Sequence, residues 1–284
     1  MNIKTSDSKS VKLFLKKLTL PQPNSHKGQN SKVLVIGGSS LFHSASLWAA
    51  EVASHFCDMV HYSSTEENQK QFHNGIIVPQ KNLMEYVKED DAILVGSGMM
   101  REGPEAKYTF DLTKSLIENF TEKQFVFDAG ALQVMDPSWL LKLKTPAVVT
   151  PHQKEFETLF KQSISDLPIE EKIQLVQSMA KKYKVIILLK AIKDIISDGQ
   201  ETYIVEGGNA GLTKGGTGDV LAGLTTAISA KNPATFSAVA ASILLKKTGE
   251  RLFDSKGYWY NVGNIIETIP EVLTRSVPLG SDLK

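Results

Sequence analysis

The chain has 284 residues, 42% of them hydrophobic and 22% charged, which is enough for one large α/β domain or two small ones. With 32 basic and 31 acidic residues its net charge is +1, which gives no electrostatic basis for binding nucleic acid or an acidic membrane surface. Cys57 is the only cysteine, so a disulfide framework is excluded, and because neither a signal peptide nor a membrane-spanning run is visible we expect a cytoplasmic protein.

The first predicted elements follow a polar start. We expect residues 1–10 to be disordered and a short helix over 11–18 to end before Pro21 and Pro23. The first predicted strand, 32–36, is followed by two glycines, two serines and a helix of small residues over 44–55. A strand, a glycine turn and a helix start in this order indicate a ligand site in an α/β fold.

Short apolar strands then alternate with helical patterns through the middle of the chain. This alternation predicts one domain with a parallel sheet that helices cover on both faces. Toward the end, Asp198–Glu201 joins two short strands and predicts a hairpin. The predicted strands are 59–62, 75–78, 92–95, 125–128, 147–150, 185–190, 195–197 and 202–205, and the predicted helices are 105–119, 137–143, 154–160, 169–183, 235–247 and 262–269.

The most informative stretch is the glycine loop at 214–223, which reads KGGTGDVLAG. Its three closely spaced glycines permit tight turns and a close approach to a ligand, and apolar residues at helical spacing follow. A loop that opens a helix leaves unpaired N–H groups at the positive end of the helix dipole, which suits a phosphate. Asp219 would lie at the mouth of this site. It could take a proton from a hydroxyl that attacks the phosphate, or it could only cap the helix.

Glycine or polar residues also follow nearly every predicted strand. Because ligands bind beyond the carboxyl ends of the strands in open α/β sheets, these residues predict a long cleft for an extended polar ligand. The alternative is that the glycines only make turns and caps. The strand ends are Gly37-Gly38-Ser39, Gly96-Ser97-Gly98, Asp128-Ala129-Gly130, Thr150-Pro151-His152 and Lys190.

Other nucleotide and metal signatures are missing from the sequence. It has no Gly-Lys-Ser/Thr of a P-loop and no third glycine of the dinucleotide fingerprint. His26, His43, His152 and Glu155 do not fall into a metal-ligand spacing. We therefore expect no metal held by the protein alone, whereas Mg²⁺ carried by nucleotide phosphates stays open.

Taken in order, the motifs resemble those of the nucleotide-dependent NAD(P)H-hydrate dehydratases of the ribokinase-like superfamily. The resemblance runs from residue 25 to about residue 230, and the glycine–Asp loop together with Thr-Pro-His-x-x-Glu is its most specific part. It implies an α/β fold: a single-domain three-layer sandwich with a mostly parallel central sheet, formed by residues 25–284 after an extension of residues 1–24. The matching segments are SHKG at 25–28, VLVIGGS at 33–39, VGSG at 95–98 with Arg101, FDAGAL at 127–132, TPHQKEF at 150–156, LLK at 188–190 and GNAGLTKGGTGD at 208–219.

The resemblance implies a lyase that repairs NADH or NADPH whose nicotinamide ring has taken up water (NADHX and NADPHX). ADP or ATP would phosphorylate the ring hydroxyl, Asp219 would take the hydroxyl proton, and the phosphate would then leave. Glu155 would act through water on Mg²⁺ bound to the nucleotide. The implied substrate contacts are Ala45, Gly98, His152 and Asp219, and the implied nucleotide contacts are Lys190, Ala191, Ile192, Lys193, Asp194, Gly215, Gly216, Thr217 and Gly218.

From the residues alone, His152 could equally be a helix cap, and Lys190 could be a solvated residue at the end of a strand. The resemblance also implies a homo-oligomer and a separate NAD(P)HX epimerase, because the residues before the first predicted strand are too few for that domain. Two further functions stay open: a small-alcohol kinase of the same superfamily, and a nucleotide-binding protein without turnover. The chain departs from the usual family pattern at Phe42, Ser44, Ser97, Met100, Gly130 and Ala191.

Overall fold

The computed structural model describes residues 1–65 and 72–277, and these contain one ten-stranded sheet. Across the sheet the strands run in the order β1-β10-β9-β8-β7-β6-β5-β2-β3-β4. Neighbours are parallel except at β9, which is antiparallel to both β8 and β10. The strands are β1 (Asn2–Lys4), β2 (Lys32–Ile36), β3 (Met59–Ser63), β4 (Ile76–Ile77), β5 (Ala92–Val95), β6 (Gln124–Phe127), β7 (Val148–Val149), β8 (Ile186–Leu189), β9 (Lys193–Ser197) and β10 (Thr202–Glu206).

The central strands are almost entirely apolar because both faces of the sheet are covered: β5, β7 and β8 have only apolar residues, while β2 and β6 begin with Lys32 and Gln124. Side chains of a strand alternate between faces, so Val33 and Val35 of β2 join one hydrophobic core while Leu34 and Ile36 join the other. β5 and β8 divide their residues between the two cores in the same way. The predicted three-layer arrangement with a mostly parallel sheet is confirmed.

Two groups of helices form the outer layers. One group packs on the face that Val33 and Val35 occupy: α1 (Ser8–Leu15), α2 (His43–Ser54), α8 (Thr217–Ser229), α9 (Ala234–Lys256) and α10 (Val262–Ser276). The other group packs on the opposite face: α3 (Leu83–Glu89), α4 (Pro104–Asn119), α5 (Ala129–Val134), α6 (Gln153–Phe160) and α7 (Ile169–Tyr183), with a 3₁₀ helix at Pro137–Lys142. In the described part of the chain, no helix is long and apolar enough to cross a membrane.

The register of the sheet brings the functional strand ends together. Ile36 lies beside Val95, Val95 beside Phe127, and Phe127 beside Val149. The residues that follow these strands therefore form one row along the carboxyl edge of the sheet. This row is the floor of the cleft that the sequence predicts.

The prediction that residues 1–10 are disordered is wrong. β1 pairs in parallel with β10 and buries Ile3, and Asp7 caps the helix that begins at Ser8. The sequence gives little sign of this strand because Asn2 and Lys4 are exposed and only one side chain enters the core. The short helices α3 and α5 were also not predicted, and α9 and α10 extend beyond their predicted ends.

We expect β1 to contribute to the stability of the whole domain. Replacing Ile3 with Ala should lower the free energy of unfolding by about 2–5 kcal/mol, since a large aliphatic side chain would leave a packed core. Lys4→Ala, at the exposed neighbouring position, should change it by less than about 0.5 kcal/mol. Urea unfolding followed by circular dichroism measures both values, and equal small effects would show that the strand does not pack in solution.

Candidate active site

Lys190 stands at the centre of the charged groups at the carboxyl edge of the sheet. Its Nζ lies 2.8 Å from Oδ1 of Asp128 and 3.7 Å from Oε2 of Glu155. Burial opposes the charge of Lys190, yet the carboxylates of Asp128 and Glu155 outweigh that penalty and raise its pKa above the ordinary value. Lys190 is therefore a fixed ammonium ion, and the prediction from local sequence that it is merely solvated is wrong.

Asp128 is held in place from three directions. It directly follows β6 and its side chain is 1% exposed. Oδ1 accepts a hydrogen bond of 2.7 Å from the Thr150 hydroxyl and the contact from Lys190, while Oδ2 accepts a 3.2 Å hydrogen bond from the Ser97 hydroxyl. Residues after three neighbouring strands thus fix one carboxylate beneath the cleft.

His152 and Glu155 form a capping box at the start of α6. The Nδ1 atom of His152 accepts a hydrogen bond of 3.2 Å from the Glu155 backbone, and Oε2 of Glu155 accepts one of 2.9 Å from the His152 backbone. His152 therefore caps α6, which was the alternative to a binding role that its sequence position allowed. This cap leaves the imidazole half exposed, at the entrance to the cleft.

Asp219 lies in the first turn of α8, above the row of strand ends. Burial raises the pKa of its carboxyl group, and the negative charge of Asp128 raises it further. The positive charge of Lys190 lowers the pKa, so that it reaches about 7. A carboxylate with this pKa can accept a proton near neutral pH, which is the property that a general base requires.

Glycine occupies positions 215 and 216 of the loop for different structural reasons. Gly216 has φ +97° and an added Cβ would lie 2.4 Å from the Trp48 ring, so both backbone and packing require glycine there. At Gly215, in contrast, an added Cβ would meet no atom of the described protein within 4 Å. Gly215 therefore keeps open a space that the chain itself does not fill.

Two cavities flank the charged centre, and Asp219 lines the first while Lys190 lines the second. The first, of about 360 Å³, contains three of the predicted substrate contacts, Ala45, Gly98 and Asp219, together with Glu155. The second, of about 700 Å³, lies between the 190–194 turn and the start of α8. Predicted nucleotide contacts in its wall are Lys190, Ala191, Ile192, Asp194, Thr217 and Gly218.

Some predicted site residues lie apart from these groups. His152 lines the second cavity and not the first, although the resemblance assigns it to the substrate. The side chain of Lys193 points away to Glu206, at 3.0 Å. Gly215 and Gly216 are not part of the wall of the second cavity, so their contacts with a nucleotide stay predictions.

The structure adds residues that sequence reasoning did not assign to the site. Gln133 donates a 3.3 Å hydrogen bond to Glu155, and Lys246 of α9 lies in the wall of the second cavity. Asp128 appeared in the sequence only as a strand end, and its partners could not be known without the register of the sheet. Neither Gln133 nor Lys246 has a recognisable pattern around it, because both reach the cleft from the interior of helices.

Three of the departures from the family pattern, Phe42, Met100 and Gly130, line the first cavity. Met100 forms part of its wall without closing it. An added Cβ at Gly130 would lie 2.3 Å from the carbonyl oxygen of Met99, so this backbone arrangement has no room for a side chain there.

This sheet, with its charged centre between two cavities, defines an α/β protein that can hold two ligands at once. Comparison with known proteins then gives the family. The sequence model of NAD(P)H-hydrate dehydratase matches residues 33–271, most of the chain. The chain belongs to the NAD(P)H-hydrate dehydratase family, as its motifs indicate.

Named relatives agree with this assignment. The ADP-dependent (S)-NAD(P)H-hydrate dehydratase of Nitrosopumilus maritimus is 31% identical over 270 residues, which are 89% of this chain and 91% of that protein. The bifunctional NAD(P)H-hydrate repair enzyme of Methanocaldococcus jannaschii is 35% identical over 274 residues, which are 91% of this chain and 51% of that protein. The chain thus spans about half the length of the bifunctional relatives.

A solved structure confirms the ribokinase-like fold. The ADP/ATP-dependent NAD(P)H-hydrate dehydratase of Bacillus subtilis, co-crystallised with ATP and Mg²⁺, superposes with a TM-score of 0.80. The match covers 93% of this chain and 97% of that one, at 19% sequence identity. At this identity the likeness supports the fold alone.

The electrostatics of Asp219 can be tested in the ligand-free protein. Its side-chain carboxyl carbon should titrate with a midpoint near pH 7 in a ¹³C NMR experiment. Asp128→Asn should move this midpoint to lower pH, because a negative charge that disfavours ionisation of Asp219 is removed. Asp111→Asn, on the exposed side of α4, should leave it in place. An unchanged midpoint in Asp128→Asn would mean that burial alone raises the pKa.

Proposed function

We propose that this protein uses ADP or ATP to dehydrate hydrated NADH or NADPH and so returns the reduced cofactor. The observation that carries the proposal is that two cavities flank the charged centre, with Asp219 in the wall of one and Lys190 in the wall of the other. The first cavity would hold the damaged nicotinamide ring, and the second would hold the nucleotide. A phosphoryl group could then pass between the two ligands beside Asp219 and Lys190.

The chemistry starts with a hydroxyl group on the ring, which is a poor leaving group in water. Its oxygen attacks the terminal phosphorus of the nucleotide while Asp219 takes the hydroxyl proton. The bond between that phosphorus and the rest of the nucleotide breaks, which gives AMP from ADP or ADP from ATP. The ring C–O bond then breaks as phosphate leaves, a proton leaves the neighbouring ring carbon, and the double bond is restored.

The surrounding groups stabilise the charge that moves in this transfer. Lys190 supplies a permanent positive charge beside Asp219, and the first turn of α8 would add the positive end of the helix dipole. Gly218 lets Lys190 come close, since an added Cβ at 218 would lie 3.3 Å from its Nζ. The charged centre and the helix start thus act on the same phosphoryl group.

Magnesium would enter with the nucleotide. In residues 1–65 and 72–277 no cluster of three His, Cys, Asp or Glu side chains could hold a metal ion. A donor set this small fits Mg²⁺, which keeps several waters and binds through phosphates with one or two carboxylates. Glu155 would act on the ion through water, as the family resemblance implies, and the ion would neutralise phosphate charge.

The named relatives bear on the donor and on partners. The Nitrosopumilus maritimus relative is ADP-dependent, which favours ADP as the donor here. The bifunctional relatives join two activities in one chain, so we expect an NAD(P)HX epimerase to act on the same metabolite pool. A homo-oligomer, and His152 as a contact to the dinucleotide, remain proposals that rest on the family resemblance.

The direct test incubates the protein, Mg²⁺ and ADP or ATP with acid-hydrated NADH. We expect absorbance at about 340 nm, where reduced nicotinamide absorbs, to recover in step with phosphate release. Asp219→Asn should fold normally and lose about 10²- to 10⁴-fold in rate, because the proton acceptor is gone. Asp111→Asn serves as the matched surface control.

Two outcomes would contradict the proposed reaction, and a third would contradict only the role of Asp219. Phosphate that remains on a small alcohol would indicate a kinase of the same superfamily. Nucleotide binding without any turnover would indicate a binding protein. A near-wild-type rate for Asp219→Asn would remove the assignment of the general base while leaving the reaction intact.

The space at Gly215 gives a second prediction. Gly215→Ala should leave the melting temperature almost unchanged, since the new methyl group meets no protein atom within 4 Å. It should nevertheless weaken ADP binding at least about tenfold, because the methyl group would fill space that a phosphate needs. Gly216→Ala, which would press on Trp48, should lower the melting temperature. Calorimetric titration with ADP and thermal unfolding measure the two effects, and unchanged ADP affinity in Gly215→Ala would place the phosphates elsewhere.

A further inference from the structure

Lys246 is a buried lysine in the wall of the second cavity that the proposed chemistry does not use. It lies in the middle of α9 and is only 5% exposed. Lysine is almost never buried without a specific set of partners. Its surroundings therefore show what the residue does.

The ammonium group of Lys246 is bound by the turn between β8 and β9. It donates hydrogen bonds to the carbonyl oxygens of Ala191, at 3.2 Å, and Ile192, at 3.0 Å. It also lies 3.4 Å from Oδ1 of Asp194. Because an ammonium ion has three donors, this turn occupies all of them.

Asp194 completes the attachment of the turn to α9. Its Oδ1 atom accepts a hydrogen bond of 2.9 Å from the Ala191 backbone, and its Oδ2 atom accepts one of 2.7 Å from the Ser242 hydroxyl. Ser242 and Lys246 are four residues apart and so lie on the same side of the helix. One carboxylate and one ammonium ion thus join the turn to one face of α9.

The 207–208 loop, on the opposite wall of the same cavity, lies beside the stem of Lys246. Gly208 has φ +74°, and a Cβ built on it would lie 3.4 Å from Cγ of Lys246. Gly208 also donates a 3.0 Å hydrogen bond from its backbone to Glu250 of α9. The 190–194 turn and the 207–208 loop are therefore both attached to α9, through residues that are four positions apart.

We propose that Lys246 is a positioning residue for the nucleotide: it fixes the 190–194 turn against the 207–208 loop and so sets the shape of the cavity between them. This inference rests on the proposed function in one respect, that the second cavity holds the nucleotide. Direct binding of phosphate by Lys246 would require it to leave two carbonyl groups and Asp194. The residue therefore acts through the backbone of the turn and does not touch the reacting atoms.

Removing Lys246 alone would leave the buried carboxylate of Asp194 without its cation, which destabilises a protein whatever the role of the residue. The informative variant is therefore Lys246→Met with Asp194→Asn, which removes both charges and keeps side chains of similar volume. Lys246→Met alone and Lys256→Met, at the exposed end of α9, are the comparisons. Urea unfolding, calorimetric titration with ADP and the KM values for ADP and for hydrated NADH are measured for each.

We expect Lys246→Met to lose stability and the double variant to regain most of it. The double variant should still bind ADP at least about tenfold more weakly and show a matching rise in KM for ADP, because the hydrogen bonds that fix the turn are gone. Its KM for hydrated NADH should change less than about twofold. If Lys246 were only structural, restoring stability in the double variant would not leave a raised KM for ADP beside an unchanged KM for hydrated NADH.

Two results would overturn the inference. One is a double variant that binds ADP with wild-type affinity, and the other is a double variant in which both KM values rise together. Failure of the proposed reaction looks different: wild-type protein would bind ADP but restore no NADH, while the loss of ADP affinity in the double variant would still support the role of Lys246.

Discussion

The placement of one ammonium ion among three carboxylates is the constraint on which the site depends. Lys190 needs Asp128 and Glu155 to stay charged in a buried position, and Asp219 needs Lys190 to balance Asp128. Because each group sets the charge of the next, none can be removed without altering the others. The result is a fixed cation beside a carboxyl group whose pKa is raised to about 7, and the proposed transfer depends on these two groups.

The sheet makes this charge arrangement possible. Strands in register place Gly96, Asp128 and Thr150 side by side, so the carboxylate and its hydroxyl partners need no long flexible loops. The start of α8 is then held above this row by Trp48, against which Gly216 packs. Short connections thus join β5, β6, β7 and β8 to Ser97, Asp128, Thr150 and Lys190.

The sequence predicted the parts of the protein whose signals are local. The apolar strands, the amphipathic helices and the glycine loop are each visible within about ten residues, and most predicted boundaries lie within two residues of those found. β1 was missed because Ile3 is its only buried side chain and its partner strand is about 200 residues away in the sequence. Gln133 and Lys246 were missed for the same reason: their roles arise from contacts between distant elements, which no local pattern records. The pKa of Asp219 likewise depends on a neighbour that only the fold supplies.

The antiparallel strand β9 limits how this protein can change. Elsewhere along the carboxyl edge a strand is followed by a loop or a helix, but beside the second cavity the chain turns straight back into the sheet. Ile195 and Ile196 of β9 are fully buried on opposite faces of the sheet, so a shift of one residue in the pairing of Leu189 with Ile195 would send both to the wrong faces. The sheet itself therefore fixes the position of this wall of the second cavity. The shape of the cavity can change more readily on the facing wall, where Thr213 and Lys214 lie outside the sheet.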